Sequence, residues 1–313
     1  MVVENNPFIP YAFQRDHSGM QGTEYITDED EIKEAEEAWL KARDLAVSSA
    51  RLLNDGLDIS KQLANRLLEP FLYHKVLISA TEWENFFNLR CPKYVAGYKL
   101  GSPNASEEKI FKSWKDLYYY HMNEINSTVE VLYRVKNTPI LERLACNRGQ
   151  ADIHMMFLAE AIYDAIQEST PKKLREGEWH IPYGDYMDTN ELNLLRFKRN
   201  TSSTEEPKES LNELLSKISI ARCARLSYQT LGDNPVIDYE KDLQLYEVLS
   251  KSGHWSPFEH VARTMTEEEH SNNYINSTST KSRGTKKEGK YKYIDLGWCR
   301  NFRGFIQQRA LMD

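Results

Sequence analysis

Apolar residues recur with a helical period along most of this chain, and the breaks in that period divide it into elements. The longest apolar-rich run covers residues 61–91, KQLANRLLEPFLYHKVLISATEWENFFNLRC. Its second half predicts a helix over 79–90. Ser79 and Glu82 have the spacing of a capping box, and Trp83, Phe86, Phe87 and Arg90 share one face. An arginine closing an aromatic stripe has two readings. Its stem can cover the edge of a core while the charged head stays in water, or its guanidinium can face a ligand. Spacing alone leaves both open.

Before this run, the pattern predicts a helix over 28–55, with acidic residues 28–31 at its start. Ala35, Trp39, Ala42, Leu45 and Ala46 form its apolar side, and Gly56 stops it. A second helix covers 60–68 and ends ahead of Pro70. Residues 71–78 read as a short bend.

From Pro92 to Arg148 the chain changes character. Gly97, Gly101 and Pro103 predict a loop, and Ser106, Glu107 and Glu108 open a helix carrying Phe111, Trp114, Leu117 and Tyr118. Another helix is predicted over 127–135. The segment 92–148 therefore reads as a helical insertion, with Tyr118, Tyr119 and Tyr120 as packing residues and no suggestion of chemistry. A strongly periodic helix follows over 150–167, with Ile153, Met156, Phe157, Ala161 and Ile162 on one side. Residues 178–183 read as extended and 200–207 as a polar linker. Helices are predicted over 211–219 and 238–250, the second ending at Gly253. The stretch 264–297 reads as a mobile polar loop containing several lysines. Residues 298–309 read as a terminal helix bearing Arg300, Arg303 and Arg309.

Composition narrows the function classes. A formal charge of −7 over 313 residues gives no general basic field, so nucleic acid is an unexpected partner. Local arginine pairs remain able to hold a small phosphate ligand. The four cysteines are far apart in sequence and predict buried free thiols in a reducing compartment. No run of eighteen apolar residues and no basic-then-apolar leader is present, so a cytoplasmic location without a membrane partner is expected.

The second informative stretch is GHWSPFEH, residues 253–260. Ser256 has the position of an N-cap, Pro257 suits the first helical position and Glu259 completes a capping-box pattern. A tight interhelical turn accounts for those three residues. It leaves His254, Trp255 and His260 unexplained, and free N–H groups at a helix start form an anion site. Arg66, Arg90, Arg222, Arg225, Arg300, Arg303 and Arg309 could supply phosphate forks. The chain has no Walker loop, GxGxxG, GxSxG or HExxH, which argues against conventional NTPases, Rossmann dehydrogenases, serine hydrolases and zincins.

ARCARLSY and GHWSPFEHVA, taken with NRLLEP, NFFNLRC and GQADIHMMFLAEAI, resemble segments of the flavin-dependent thymidylate synthases. The likeness covers residues 57–91, 150–183, 219–261 and 298–311. Their order looks permuted, as in a longer subgroup associated with actinobacteria and their phages. The family's RHR-centred signature is absent, and 92–148 stands where the family has a short link. MVVENNPFIPYAFQRDHSGMQG looks like sequence that follows that signature in the longer subgroup.

The resemblance implies a single α+β domain spanning 1–313, helix-rich with a small mixed or antiparallel sheet. It implies reductive methylation of dUMP to dTMP, with FAD as cofactor and 5,10-methylenetetrahydrofolate and NADPH as co-substrates. No catalytic residue and no metal are carried over. Arg66 and Arg90 match arginines that bind dUMP. Asn85, His254, Ser256 and Glu259 match positions at FAD. The family assembles as a homotetramer with shared active sites, so a hetero-assembly with a chain carrying the missing signature is also an expectation. Two other outcomes fit the same residues: a non-catalytic nucleotide-binding or assembly subunit, and a pyrimidine nucleotide hydroxymethylase.

Overall fold

The computed structural model describes residues 2–18, 24–95, 109–123, 127–199, 207, 209–226, 238–271, 285–287, 290–292 and 297–312. It is helix-rich with small antiparallel sheets, an α+β composition. The chain divides into two compact units, one of residues 1–73 and 83–170, the other of 74–82 and 171–313.

In the first unit, α1 (Glu29–Arg51) begins at Asp28, whose carboxylate accepts the N–H groups of Asp30 and Glu31. Its buried stripe is turned from the one expected. Val47 and Ala50 are buried and Trp39 and Ala46 partly so, whereas Ala42 and Leu45 face water. Trp39 sets this rotation, because its indole N–H donates to the Phe8 carbonyl at 2.8 Å. A π-helical turn at Leu52–Gly56 ends the helix. A single α-turn, Lys61–Ala64, then tightens into a 3-10 helix, Asn65–Phe71, that carries Pro70 inside it.

The helix expected from residue 79 starts later. It is α2 (Glu84–Arg90), with Trp83 at its N-cap and no side-chain cap. Ser79 is drawn elsewhere, to a histidine described below, so the capping box does not form. The aromatic stripe survives: Phe87 is buried with Cys91 and Ala159, and Trp83 and Phe86 pack against them. Strands β1 (Tyr94–Val95) and β2 (Ile110–Phe111) pair antiparallel. They are followed by α3 (Trp114–Asn123), α4 (Val129–Lys136), α5 (Ile140–Ala145) and the long α6 (Ile153–Glu168). Tyr94, Phe111, Trp114, Leu117 and Val135 form a core within this segment. The expected helix start at residues 106–108 lies outside the described residues.

In the second unit, β3 (Trp179–His180) is followed by three helices: α7 (Thr189–Arg199), α8 (Leu211–Ala224) and α9 (Tyr239–Ser252). A capping box does form here, between Ser210 and Glu213 at the start of α8. Leu192, Leu214, Ile218, Tyr239 and Leu243 make the helical core. Arg222 and Arg225, expected as a phosphate fork, are instead bound to the buried carboxylate of Asp242, with Arg222 Nε 3.2 Å from Oδ2. Arg222 also lies over the Tyr239 ring at 5.4 Å. Strand β4 (Ala262–Thr264) runs between β3 and a later strand in a three-stranded antiparallel sheet. The expected polar loop contains a helical turn, Glu267–Ser271, and the antiparallel pair β5 (Thr285–Lys287) and β6 (Lys290–Lys292). Residues 272–284, including Lys281, and the linker 200–206 lie outside the described residues.

The terminal segment corrects the sequence expectation outright. Residues 298–309 are not helical but fold as β7 (Trp298–Cys299), β8 (Phe302–Arg303) and β9 (Phe305–Gln307), closed by a 3-10 turn at Gln308–Leu311. The breaks are at Arg300, Gly297 and Gly304, all with positive φ, which interrupt the helical path. No helix among the described residues is long and apolar enough to cross a membrane.

Because Asp242 is the buried counter-charge of the buried Arg222, and also pairs with the partly exposed Arg225, Asp242→Asn keeps the shape and strands a buried arginine. The expected loss is about 3 kcal/mol of unfolding free energy, from the penalty on an unpaired buried charge. Urea denaturation of the two proteins measures it, and a loss well below 1 kcal/mol contradicts a buried-pair role for Asp242.

Candidate functional site

The second unit gathers its polar side chains around the turn that follows α9. Gly253 adopts a left-handed conformation (φ 73°) and ends the helix. Trp255 then leads into a 3-10 turn, Ser256–Glu259, anchored by the fully buried Phe258. Ser256 is the first residue of this turn and not its cap, and no side chain caps it. With no capping box to serve, the Glu259 carboxylate points at the terminal hairpin. Its Oε1 accepts from Arg300 at 3.3 Å and from Arg309 at 3.1 Å.

Both arginines are held from behind. Arg309 lies over the Trp255 ring at 5.7 Å, a cation–π contact. Arg300 occupies the first turn position between β7 and β8 with φ 56°, where a non-glycine residue costs about 1 kcal/mol or more. The ion pairs do not offset much strain, because Glu259 is 40% exposed and water screens it. Stability alone therefore does not account for the arrangement. Two guanidinium groups converge on one half-open carboxylate, and such charged N–H donors are the groups that hold an anion.

A second layer fixes the hairpin. Gln307, fully buried on β9, donates to the Glu259 carbonyl at 3.0 Å and to Asn301 Oδ1 at 2.8 Å. Asn301 donates in turn to the Ser79 carbonyl at 2.6 Å, and the Arg303 amide donates to Thr81 Oγ1 at 2.8 Å. Ser79 Oγ lies 3.0 Å from His260 Nδ1. Burial holds the His260 imidazole below its ordinary pKa, against the opposing pull of the Glu259 charge. Among the described residues, the buried Gln307 Oε1, Arg309 Nε and Trp298 Nε1 have no hydrogen-bond partner. Gln307 and Arg309 both belong to the Glu259 cluster, so two of these unsatisfied atoms lie within it.

The expected site residues divide between the units. His254, Ser256 and Glu259 come together along this turn, the first two exposed. Arg66, Asn85 and Arg90 belong to the first unit and are all exposed there. Arg66 lies 3.6 Å from Glu69 one turn on, and Arg90 ends α2. Asn85 is at the start of that same helix. Sequence reasoning missed the pairing of Arg300 and Arg309 with Glu259, as well as the supporting roles of Asn301 and Gln307. The signal was the spacing of Gly297, Asn301 and Gly304, turn residues bounding short aromatic runs.

His260 titrates at lower pH in the folded chain than its unfolded value of about 6.5. Protonating it therefore opposes folding, and stability falls as pH drops from about 6.5 through the folded value. His260→Gln keeps a hydrogen-bonding group for Ser79 but removes the titration. The urea midpoint of this variant should fall less between pH 7 and pH 5 than that of the parent chain; an equal fall removes His260 from the pH response.

No family model matches this chain, and neither a curated protein nor a solved structure matches it.

Proposed function

We propose that this chain is a flavin-dependent thymidylate synthase-type protein, acting in reductive methylation of dUMP to dTMP with FAD, 5,10-methylenetetrahydrofolate and NADPH. The observation that supports this reading is the meeting of Glu259, from GHWSPFEH, with Arg300 and Arg309, from the terminal segment. Two stretches that carry the family resemblance, far apart in sequence, thus build one polar cluster with two guanidinium groups on one carboxylate.

The residues present fit a cofactor that is anionic at one part and rich in hydroxyls at another. Arg300 and Arg309 offer guanidinium donors to phosphate oxygens. Glu259 holds both arginines by one oxygen, and its second oxygen is available to accept a ligand hydroxyl. His254 and Ser256 stand exposed at the entry of the same turn and offer an imidazole and a hydroxyl. On the first unit, Arg66 and Arg90 are the proposed dUMP ligands and Asn85 matches a flavin position of the family. Bound FAD, once reduced, supplies the hydride. The chain's contribution is to bind and orient, which suits a cluster without an activated cysteine: burial pushes the Cys91 and Cys223 thiols up to about 12.

Equilibrium titration with FAD, followed by flavin absorbance, tests the reading. The parent chain should bind FAD saturably, and Arg309→Ala should weaken binding about tenfold or more, the effect of about 1.4 kcal/mol for a charged hydrogen bond. Arg90→Ala should weaken dUMP binding by a similar factor while leaving FAD unchanged. Absence of saturable FAD binding, with dUMP present or not, overturns the proposal.

A further inference from the structure

The first unit contains a pocket of about 510 Å³ built by α3, the end of α4, α5 and α6, within the size range of small-molecule sites. Three of these helices lie in the 92–148 segment, whose sequence suggests no chemistry, and the pocket uses none of the residues assigned to dUMP or FAD. Its walls are aromatic: Trp114, Tyr118 and Phe157 line it. Charges of both signs also line it, carried on different helices.

The cationic side is Arg143, from α5, and Lys136, the last residue of α4. Arg143 Nε donates to the Thr138 carbonyl at 2.8 Å, and its guanidinium lies 5.3 Å from the Trp114 ring. The head group is thereby fixed, while its two terminal nitrogens have no hydrogen-bond partner among the described residues. Lys136 is exposed and makes no ion pair or hydrogen bond among the described residues. Lys115, also at the rim, is already engaged by Glu168.

The anionic side is Glu160 and Asp164, one turn apart on α6. Glu160 accepts the Trp114 amide at 2.6 Å and the Tyr94 hydroxyl at 3.0 Å, so its orientation is set from the protein side. A carboxylate has about four acceptor sites, and these two bonds leave others for the pocket. Burial raises both acids above the ordinary carboxylate range despite those bonds. Neither acid has an ion pair of its own among the described residues, so a ligand ammonium finds two carboxylates one turn apart on the same wall of the pocket.

We propose that this pocket binds a small amphoteric molecule with an aromatic body, its carboxylate on Arg143 and Lys136 and its amine on Glu160 and Asp164. A purely anionic ligand would make no use of the acid pair, and a purely cationic one would leave the Arg143 fork unfilled. Specificity then comes from needing both ends at once.

Calorimetric titration of the full chain with L-tryptophan, indole-3-propionate and tryptamine tests this directly. The three share a ring and differ in the amine and the carboxylate. L-tryptophan should bind saturably, and each analogue lacking one end about tenfold more weakly. Lys136→Glu changes an exposed residue that makes no ion pair or hydrogen bond among the described residues, so folding is preserved. It should weaken L-tryptophan and indole-3-propionate at least about fivefold and spare tryptamine, the size of one partly exposed charge contact. Asp164→Asn should do the reverse, weakening L-tryptophan and tryptamine. No saturable binding of L-tryptophan, equal affinity for all three probes, or variants without this opposite selectivity each overturn the proposal.

Discussion

The sharing of one Glu259 oxygen between Arg300 and Arg309 is the constraint around which the second unit is arranged. The carboxylate can reach both arginines only because Phe258 is sunk into the core and fixes the turn that carries it. The arginines can reach it only because the terminal segment is a hairpin. A helix over the same residues would separate Arg300 from Arg309 by two and a half turns, more than 13 Å along its axis. The buried Gln307 ties the two sides together through the Glu259 carbonyl and Asn301. Backbone strain at Arg300 fits this picture: a residue held at positive φ persists when its surroundings determine its position.

Asp242 offers an instructive comparison within the same unit. It too faces two arginines, but its side chain is 1% exposed whereas that of Glu259 is 40% exposed. Burial makes the first a structural anchor: the Asp242 carboxylate is closed to solvent, and Arg222 beside it is only 10% exposed. Openness makes the second a weak contributor to stability whose charges remain accessible to solutes. The arginines in ARCARLSY and in RNFRGFIQQR look alike in sequence. Burial, which spacing does not encode, separates a scaffold from a candidate site.

The helices were legible to the extent that one element determined them. The acidic start of α1, the capped α8, the period of α6 and the stop at Gly253 all follow from neighbours in sequence. Failures arose where a distant partner outcompeted the local one. Ser79 has the spacing of a cap, yet it pairs with His260, 181 residues away. Glu259 has the spacing of a capping box, yet two arginines some forty and fifty residues on take its carboxylate. A neutral cap bond is worth about 1 kcal/mol at most sites, so a charged partner delivered by the tertiary fold can displace it. The candidate site was legible as a motif and invisible as a contact.

The pocket of the first unit carries the same lesson to its limit. None of its polar residues forms a motif: Lys136, Arg143 and Glu160 lie in three helices, at spacings that match no known chemistry. Each also has a sufficient bland role in sequence, as a helix-end cation or a solvent-facing acid. Tyr118 and Tyr119 read as packing, yet both line the opening, and Tyr119 is 44% exposed. What joins these residues is the core of Tyr94, Trp114 and Val135 beneath them, which orients α3 and α4. Glu160 belongs to both layers, since it fastens the Trp114 amide and the Tyr94 hydroxyl and also faces the pocket. An acid that both fastens the core and lines a pocket couples occupancy to packing, so a ligand there would also stabilise the helices around it.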